Sequence, residues 1–212
     1  MKRTFLSALI CVVCTWPLPA QDVLKHFTFD VGAGFSFPAG ATSDHTKTGF
    51  NFVASGGPRF NSRFSIGADF GLHSMNVKNS LQSSVNNVDL SLGAVMHLWS
   101  LTANPTYQFI RQEGFSTYVT GGYGLYNRTL ELPIPGLIPA VACDAFWNVC
   151  ITRSMSDVVM TGNLSTHKGG YNVGAGANFG AHTKFFVEAR YHHMFTPNSA
   201  TEIIPLTFGI RW

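Results

Sequence analysis

The chain ends with Glu202-Ile203-Ile204-Pro205-Leu206-Thr207-Phe208-Gly209-Ile210-Arg211-Trp212, and this stretch decides the fold. A β-strand turns successive side chains to opposite faces, so every second residue lies on the same face. One face carries Ile204, Leu206, Phe208, Ile210 and Trp212, and the other carries Ile203, Pro205, Thr207, Gly209 and Arg211. A bulky apolar face opposite a small or polar one is typical of a strand between lipid and a polar barrel interior.

The same alternation runs through seven earlier segments, which together with the last one predict eight strands. A tilted strand needs about 9–11 residues to cross a bilayer. In the fourth segment the apolar parity changes between Met96 and Trp99. We expect a β-bulge there, because one extra residue re-phases the two faces. The seven segments are Phe27–Phe37, Phe50–Phe60, Arg63–His73, Val88–Phe109, Phe115–Leu125, Tyr171–Phe179 and Phe185–His192.

The connections between these strands alternate in length. Outer-membrane barrels have short turns at the periplasmic end and longer loops outside. We therefore predict an all-β fold, an eight-stranded antiparallel up-and-down transmembrane β-barrel with both termini on the periplasmic side. Short turns surround Asn61, Gln112 and Ala181, and longer connections span Pro38–Thr48, Ser74–Asn86, Asn127–Lys168 and Thr196–Thr201.

The N-terminus predicts export. Met1-Lys2-Arg3 is positively charged, Phe5–Trp16 is apolar and uncharged, and Ala20 offers a small residue for cleavage. This is the layout of a secretory signal peptide, and the apolar run is shorter than the roughly 20 residues of a transmembrane helix. We predict a signal peptide over residues 1–20 and one outer-membrane β-barrel domain over residues 21–212.

The composition also favours a membrane barrel. The chain has 21 Gly and 18 Phe, and its charged fraction of 12% is about half the usual share. The net charge of +3 is small, and the basic residues form no run. Nothing indicates a nucleic-acid partner.

Three segments carry a family resemblance: Phe185–His193, Ile204–Trp212 and Gly121–Tyr126. The chain resembles the OmpA-like and OmpX-like outer-membrane β-barrel family. The resemblance implies a location in the bacterial outer membrane, contact with its lipid, and insertion by the barrel-assembly machinery through the C-terminal strand. The assembly residues of that strand would be Phe208, Ile210 and Trp212. No peptidoglycan-binding domain is expected, and the resemblance says little about activity.

A soluble lipocalin-type barrel is the rival interpretation, since it alternates with its bulky residues inside. The strand face that carries the bulky residues has almost no charge, and a soluble protein with such an exterior would aggregate. The other parity is rich in glycine, which suits a narrow interior. Both observations favour lipid outside.

The inward parity carries charges of both signs. Inside a narrow barrel each charge needs partners, because an unpaired buried charge costs several kcal/mol. We hypothesise that Glu188, Arg190, Arg211 and one or more aspartates form a plug of salt bridges, and the functional alternative is a path for protons or solutes. The inward charges are Asp30, Arg59, Asp69, Asp89, Glu188, Arg190 and Arg211.

The third long connection has two distinctive features. Cys143 and Cys150 lie in a chain that passes through an oxidising compartment, so we expect a disulfide, with a zinc pair as the weaker alternative. The apolar run Leu132–Val141 is unusual for an outer loop. It predicts either a lid over the barrel mouth or a contact site for a surface ligand or protein, with Phe146 and Trp147 as anchors.

Enzyme signals are weak. Ser154, Ser156, Asp157, His167 and the pair His192-His193 supply reactive groups, but no spacing among them demands a catalytic or metal site. We therefore predict no catalytic, cofactor or metal residues. The expected role is structural or adhesive, through the outer loops. A narrow porin-like channel is the alternative, and a lipid-modifying enzyme is a distant one.

Overall fold

A computed structural model describes residues 26–78, 94–131, 141–144, 146–147, 149–153, 158–162, 165–180 and 183–212. Eight long strands form a closed barrel, and three short strands form a separate sheet. The barrel strands are β1 (Phe27–Ala39), β2 (Gly49–Pro58), β3 (Phe64–Asn76), β4 (Val95–Gln112), β5 (Phe115–Glu131), β9 (Ser165–Phe179), β10 (Lys184–Met194) and β11 (Thr201–Arg211). The small sheet contains β6 (Val141–Asp144), β7 (Val149–Arg153) and β8 (Val158–Gly162), and a short helix, α1 (Thr42–His45), follows β1.

The barrel closes between its first and last strands. The order around it is β1-β11-β10-β9-β5-β4-β3-β2, and the pairs are antiparallel. Trp212 extends the closing seam, because its backbone exchanges two hydrogen bonds of 3.0 Å with Phe29. This confirms the predicted eight-stranded up-and-down barrel. In the described part of the chain, no helix has the length and hydropathy that a helical membrane crossing requires.

The two faces of β11 divide as the alternation predicts. Ile204, Phe208 and Ile210 are 41%, 47% and 41% exposed on the outside, whereas Ile203 and Arg211 are buried inside. Bulky side chains also cover the outside of the other strands, among them Phe35, Phe50, Phe70, Leu101, Leu125, Val173 and Phe185. The apolar surface therefore faces outward, opposite to the arrangement of a lipocalin-type barrel.

The predicted bulge between Met96 and Trp99 is wrong. The register of β4 with β3 is continuous there, and Met96 and Leu98 point into the barrel, where they are 0% and 1% exposed. The irregularity lies at the other end of β4, where its register with β5 shifts between Gln108 and Ile110. The prediction failed because the barrel interior is itself apolar at the outer end.

The third long connection is shorter than the predicted Asn127–Lys168 and contains secondary structure. β5 continues to Glu131 and β9 begins at Ser165, with Thr129 paired to Ser165. Between these strands, β7 pairs antiparallel with β6 on one side and β8 on the other. The connection therefore carries its own small sheet beyond the end of the barrel.

Inward-facing rings lie against glycines of neighbouring strands. A methyl carbon on Gly209 would lie 2.5 Å from Cε1 of Phe186, and one on Gly176 would lie 2.5 Å from Cζ of Tyr118. In so narrow an interior, a large ring fits only where the adjacent backbone carries no side chain.

We expect Gly209→Ala to lower the free energy of unfolding by about 1–3 kcal/mol, the usual cost of overpacking a full core. Gly121→Ala is the matched control, since its methyl carbon would have its nearest contact 3.3 Å away, at the carbonyl oxygen of Asn172. Urea unfolding of the refolded protein in detergent measures both. Equal stability of the two variants would contradict this packing explanation.

Candidate functional site: the barrel interior and its two mouths

Arg190 lies in the middle of the interior and binds two carboxylates. Its Nη1 is 2.6 Å from Oδ2 of Asp69, and its Nε and Nη2 are 2.8 and 2.7 Å from Oε1 of Glu188. All three residues are buried. β10 and β3 lie on opposite sides of the barrel, four strands apart in either direction. The ion pair with Asp69 therefore spans the interior.

Arg211 forms a second charged group nearer the periplasmic end. Its Nε and Nη2 each donate a hydrogen bond of 2.7 Å to the carboxylate of Asp30, and its Nη1 donates one of 3.0 Å to Asn178 Oδ1. Its Cζ lies 4.5 Å from the ring centroid of Tyr118 and 5.3 Å from that of Phe186. A bidentate pair of this kind is among the stronger polar contacts. It joins β1 to β11, the two strands that close the barrel.

The structure thus places the inward charges in two groups rather than in one plug. Arg59 belongs to neither ion-pair group, and its Nη2 donates a hydrogen bond of 3.1 Å to Thr28 Oγ1. Asp89 lies outside the described residues. Two interior voids beside these groups measure about 30 and 20 Å³, room for one or two water molecules each.

A layer of histidines lies above Arg190. Oγ of Ser36 is 2.8 Å from Nδ1 of His73, and the hydroxyl of Tyr126 is 3.0 Å from Nδ1 of His192. The two imidazole rings face each other edge-on, with centroids 5.6 Å apart. All four residues are buried.

The serine–histidine pair lacks the rest of a hydrolytic site. Nε2 of His73 has no hydrogen-bond partner among the described residues, so no carboxylate orients the ring as a catalytic triad requires. The carboxylate of Asp69 is bound to Arg190. Ser36 is 0% exposed, so a substrate does not reach its hydroxyl in this conformation. The geometry therefore fits a buried polar contact between β1 and β3.

The outer end of the interior is apolar and is closed by the third connection. Phe146 and Trp147, in the turn between β6 and β7, are 5% and 2% exposed. We call their packing partners inside the barrel the apolar cap: Met75, Val77, Ala94, Met96, Leu98, Tyr126, Leu130, Met194 and Ile203.

Arg128 holds this turn in place. Its Cζ lies 5.1 Å from the ring centroid of Phe146 and 4.9 Å from that of Trp147, and its Nη2 donates a hydrogen bond of 3.2 Å to the carbonyl of Phe146. Its Nη1 donates one of 2.9 Å to Thr201 Oγ1. The ring of His45, in α1, stacks on Phe146 with centroids 4.1 Å apart.

The predicted contact anchors Phe146 and Trp147 are buried in this arrangement, and their role in binding a partner stays a prediction. Both rings point into the barrel mouth, because the apolar cap and the Arg128 guanidinium offer them more favourable contacts than water does. Of the two interpretations of this connection, the geometry favours the lid.

The two adjacent histidines of β10 are separated by the barrel wall. His192 faces the interior, and His193 faces outward, where it stacks on Tyr171 at 4.9 Å. Nδ1 of His193 lies 3.2 Å from Oε1 of Glu202, which also accepts a hydrogen bond of 2.6 Å from the hydroxyl of Tyr191. The aromatic rings and the carboxylate form a polar cluster near the outer rim of the barrel.

The other reactive candidates do not converge. His167 is exposed on β9, and its nearest described ring is Trp99, at 6.4 Å. Ser154, Ser156 and Asp157 lie outside the described residues. Among the residues that are described, no group of three or more His, Cys, Asp and Glu side chains is arranged to hold a metal ion.

The two cysteines face each other in the backbone of the small sheet. Cys143 on β6 and Cys150 on β7 are directly opposite partners. Their side chains lie outside the described part of the structure, so the disulfide stays a prediction. The assembly role of Phe208, Ile210 and Trp212 also stays a prediction, although all three lie on the outer face, with Trp212 57% exposed.

Three interior contacts were missed by the sequence reasoning. The bonds Ser36–His73 and Tyr126–His192 join segments far apart in the chain, and nothing local marks them. The inward position of Arg128 could have been predicted from the sequence. It shares the parity of Tyr126 and Leu130, and continuing the inward face of β5 would have placed it inside the barrel.

Comparison with known proteins identifies the family. The model of the outer membrane protein β-barrel domain matches residues 6–209. The chain belongs to this family. It therefore resides in the bacterial outer membrane. The comparison with curated proteins gives no match.

Solved structures of similar shape are also small outer-membrane proteins. Neisserial surface protein A is 14% identical, with 87% of this chain and 95% of that chain covered and a TM-score of 0.53. Ail, the attachment invasion locus protein of Yersinia pestis, is 17% identical, with 88% and 98% covered and a TM-score of 0.47. OprG from Pseudomonas aeruginosa is 14% identical, with 88% and 96% covered and a TM-score of 0.47. At these identities the likeness concerns the fold alone.

We expect Arg190→Met to lower the free energy of unfolding by about 3–5 kcal/mol, because it leaves two buried carboxylates without their cation. Arg63→Met is the matched control, since Arg63 is exposed in the turn after β2. Denaturant unfolding in lipid vesicles measures both. The triple variant Asp69→Asn, Glu188→Gln, Arg190→Met is expected to recover part of the loss. A wild-type stability of Arg190→Met would overturn this role.

We expect Cys143 and Cys150 to be joined in the exported protein, because directly opposed strand residues lie within reach of a disulfide. Alkylation of the unfolded, unreduced protein is expected to add no label to residues 21–212, and alkylation after reduction to add two. Mass spectrometry reads the difference, with Cys150→Ser as the control that leaves one free thiol. Two labels without reductant would disprove the bond.

Proposed function

We propose that this protein is a sealed outer-membrane anchor that presents its third outer connection to a partner outside the cell. The observation that carries the proposal is the filling of the barrel. Side chains from the described strands occupy the interior at every level, from Arg211 through Arg190 and the histidine layer to the apolar cap.

The small sheet is the part of the molecule best placed for recognition. Its central turn is held in the barrel mouth by Phe146 and Trp147, so the sheet is tied to a rigid base. Within the described residues, β6 and β8 each pair on one side only. An unpaired strand edge offers backbone groups to an extended segment of another protein.

The porin-like alternative is less well supported. Interior voids of about 30 and 20 Å³ have room for one or two water molecules each, whereas conduction needs a continuous water-filled path. The enzyme alternative would need a reactive group open to substrate, and the Ser36–His73 pair is enclosed. A surface-interaction role needs neither a path nor a reactive centre.

The test combines conductance with surface binding. We expect the wild-type protein to give no unit conductance steps in planar bilayers. Bacteria that display it are expected to adhere to epithelial monolayers or extracellular-matrix proteins better than cells without it, because many copies on one cell bind together.

Two variants locate the contact. Replacing residues 158–162 with Gly-Ser-Gly-Ser-Gly removes the edge strand β8 and is expected to abolish the added adhesion. The control is Asp44→Ala with Lys47→Ala, which changes exposed residues at the same end without changing net charge. Regular conductance steps, or adhesion that survives the loss of β8, would contradict the proposal.

A further inference from the structure

Three cations converge on the periplasmic mouth of the barrel, and neither of the two ion-pair groups described above includes them. Each lies at an inward position of the register, at or just beyond the periplasmic end of a different strand. Arg59 forms an isolated backbone β-bridge with Ser65. In the strand register, Arg111 lies opposite Ser116 and Lys184 lies opposite Arg211.

The irregularity in β4 is what turns Arg111 inward. Gln108 lies opposite the buried Tyr118, but Phe109 and Ile110 are both exposed on the lipid side, at 50% and 42%. One extra residue on the outer face shifts the parity, so Arg111 follows on the inner face. Without this bulge its guanidinium would face lipid. Bulges commonly re-aim a side chain in this way next to functional sites.

A cavity of about 420 Å³ opens at this mouth. Its volume lies in the range of small-molecule sites, roughly 300–1,000 Å³. Donor groups reach it from four strands or their ends, and one carboxylate also lines it. The polar residues that line the cavity are Arg111, Gln112, Glu113, Ser116, Asn178 and Lys184; Ser116 and Asn178 are buried, and the Asn178 amide donates a hydrogen bond of 2.9 Å to Ser116 Oγ.

The cations at this mouth are not neutralised as the deeper ones are. Within the described residues, Arg59, Arg111 and Lys184 take part in no ion pair; Arg59 bonds a threonine hydroxyl, and Arg111 donates a hydrogen bond of 2.9 Å to the carbonyl of Ser62. The positive charges of Arg111 and Arg211 act on both Arg59 and Lys184, and the carboxylate of Asp30 opposes them at Arg59. Even with Glu113 counted, the mouth attracts anions.

We propose that the periplasmic mouth is a binding site for a phosphate group. Arginine, lysine, hydroxyl and amide donors surround the cavity, and a tetrahedral phosphate accepts hydrogen bonds from several directions at once. A carboxylate is satisfied by a single arginine fork. The site is separate from the outer-surface role proposed above and stands or falls independently of it.

Two kinds of molecule carry a phosphate group that fits this site. One is a small phosphorylated solute of the periplasm, and the other is the headgroup of a phospholipid in the inner leaflet. Exposed aromatic residues at this end, including Phe60, Phe185 and Trp212, place the mouth at the depth of the membrane interface. A headgroup therefore lies at the same level as the cavity.

The experiment uses the full exported chain in micelles of a maltoside detergent, which contains no phosphate, at low ionic strength, titrated with glycerol 3-phosphate by calorimetry. We expect saturable binding of one equivalent. Arg111→Gln and Lys184→Gln are each expected to weaken it about tenfold, the loss of one charge-assisted contact. Glu113→Gln is expected to strengthen it. Heat-modifiable gel mobility verifies that each variant is folded.

Arg63→Gln is the matched control, because it removes the same charge from an exposed turn at the same end of the barrel. It is expected to change the affinity less than about twofold, as for a charge screened by solvent. Repeating the titration with phosphatidylglycerol added to the detergent micelles separates the sources. Unchanged binding indicates a solute site, and suppressed binding indicates a headgroup site. No saturable binding, or an equal loss in Arg63→Gln, would overturn the proposal.

Discussion

Lipid offers no hydrogen-bond partners to a polypeptide backbone, so a sheet that spans the membrane has to close on itself. Here closure depends on β1 and β11, where the register runs from Asp30 opposite Arg211 to Ala39 opposite Glu202. The Arg211–Asp30 ion pair spans the same seam from inside. Closing eight strands leaves an interior that side chains fill. The rest of the structure follows from that narrowness, because each inward group must match its neighbours in size and charge.

The interior changes character along the barrel axis in step with access to water. Among the described residues, the cations at the periplasmic mouth form no ion pair, whereas Arg211 and Arg190 deeper inside are bound to carboxylates. Above them, hydroxyl and imidazole groups bond to one another, and the outer end is apolar. This order follows the cost of desolvation, which is small for a solvated charge and large for an unpaired one in the interior. With the middle filled, the two ends are left to carry function.

Much of this fold could be predicted because one physical rule, the period of two, acts along every strand. The rule failed where an apolar side chain did not mark the lipid-facing side of its strand. Met96 looked lipid-facing because an apolar side chain was assumed to point outward, but it packs inward as part of the apolar cap. The bulge at Phe109 and Ile110 had a local signal, two adjacent bulky residues in an alternating segment. The bond between Ser36 and His73 had none, because it depends on which strands the closed barrel brings together.

The two ends of the barrel interior differ in how they are filled. At the outer end the chain supplies its own stopper, since Phe146 and Trp147 bury their rings in the apolar cap and Arg128 covers them. That end needs no ligand to complete it. At the inner end, a bulge turns Arg111 towards a cavity that Lys184 also lines, and no described carboxylate pairs with either. Such charges cost little while water reaches them, and they strengthen any contact with an anion. The outer mouth is therefore filled by the chain's own side chains, whereas the described cations at the inner mouth have no carboxylate partner.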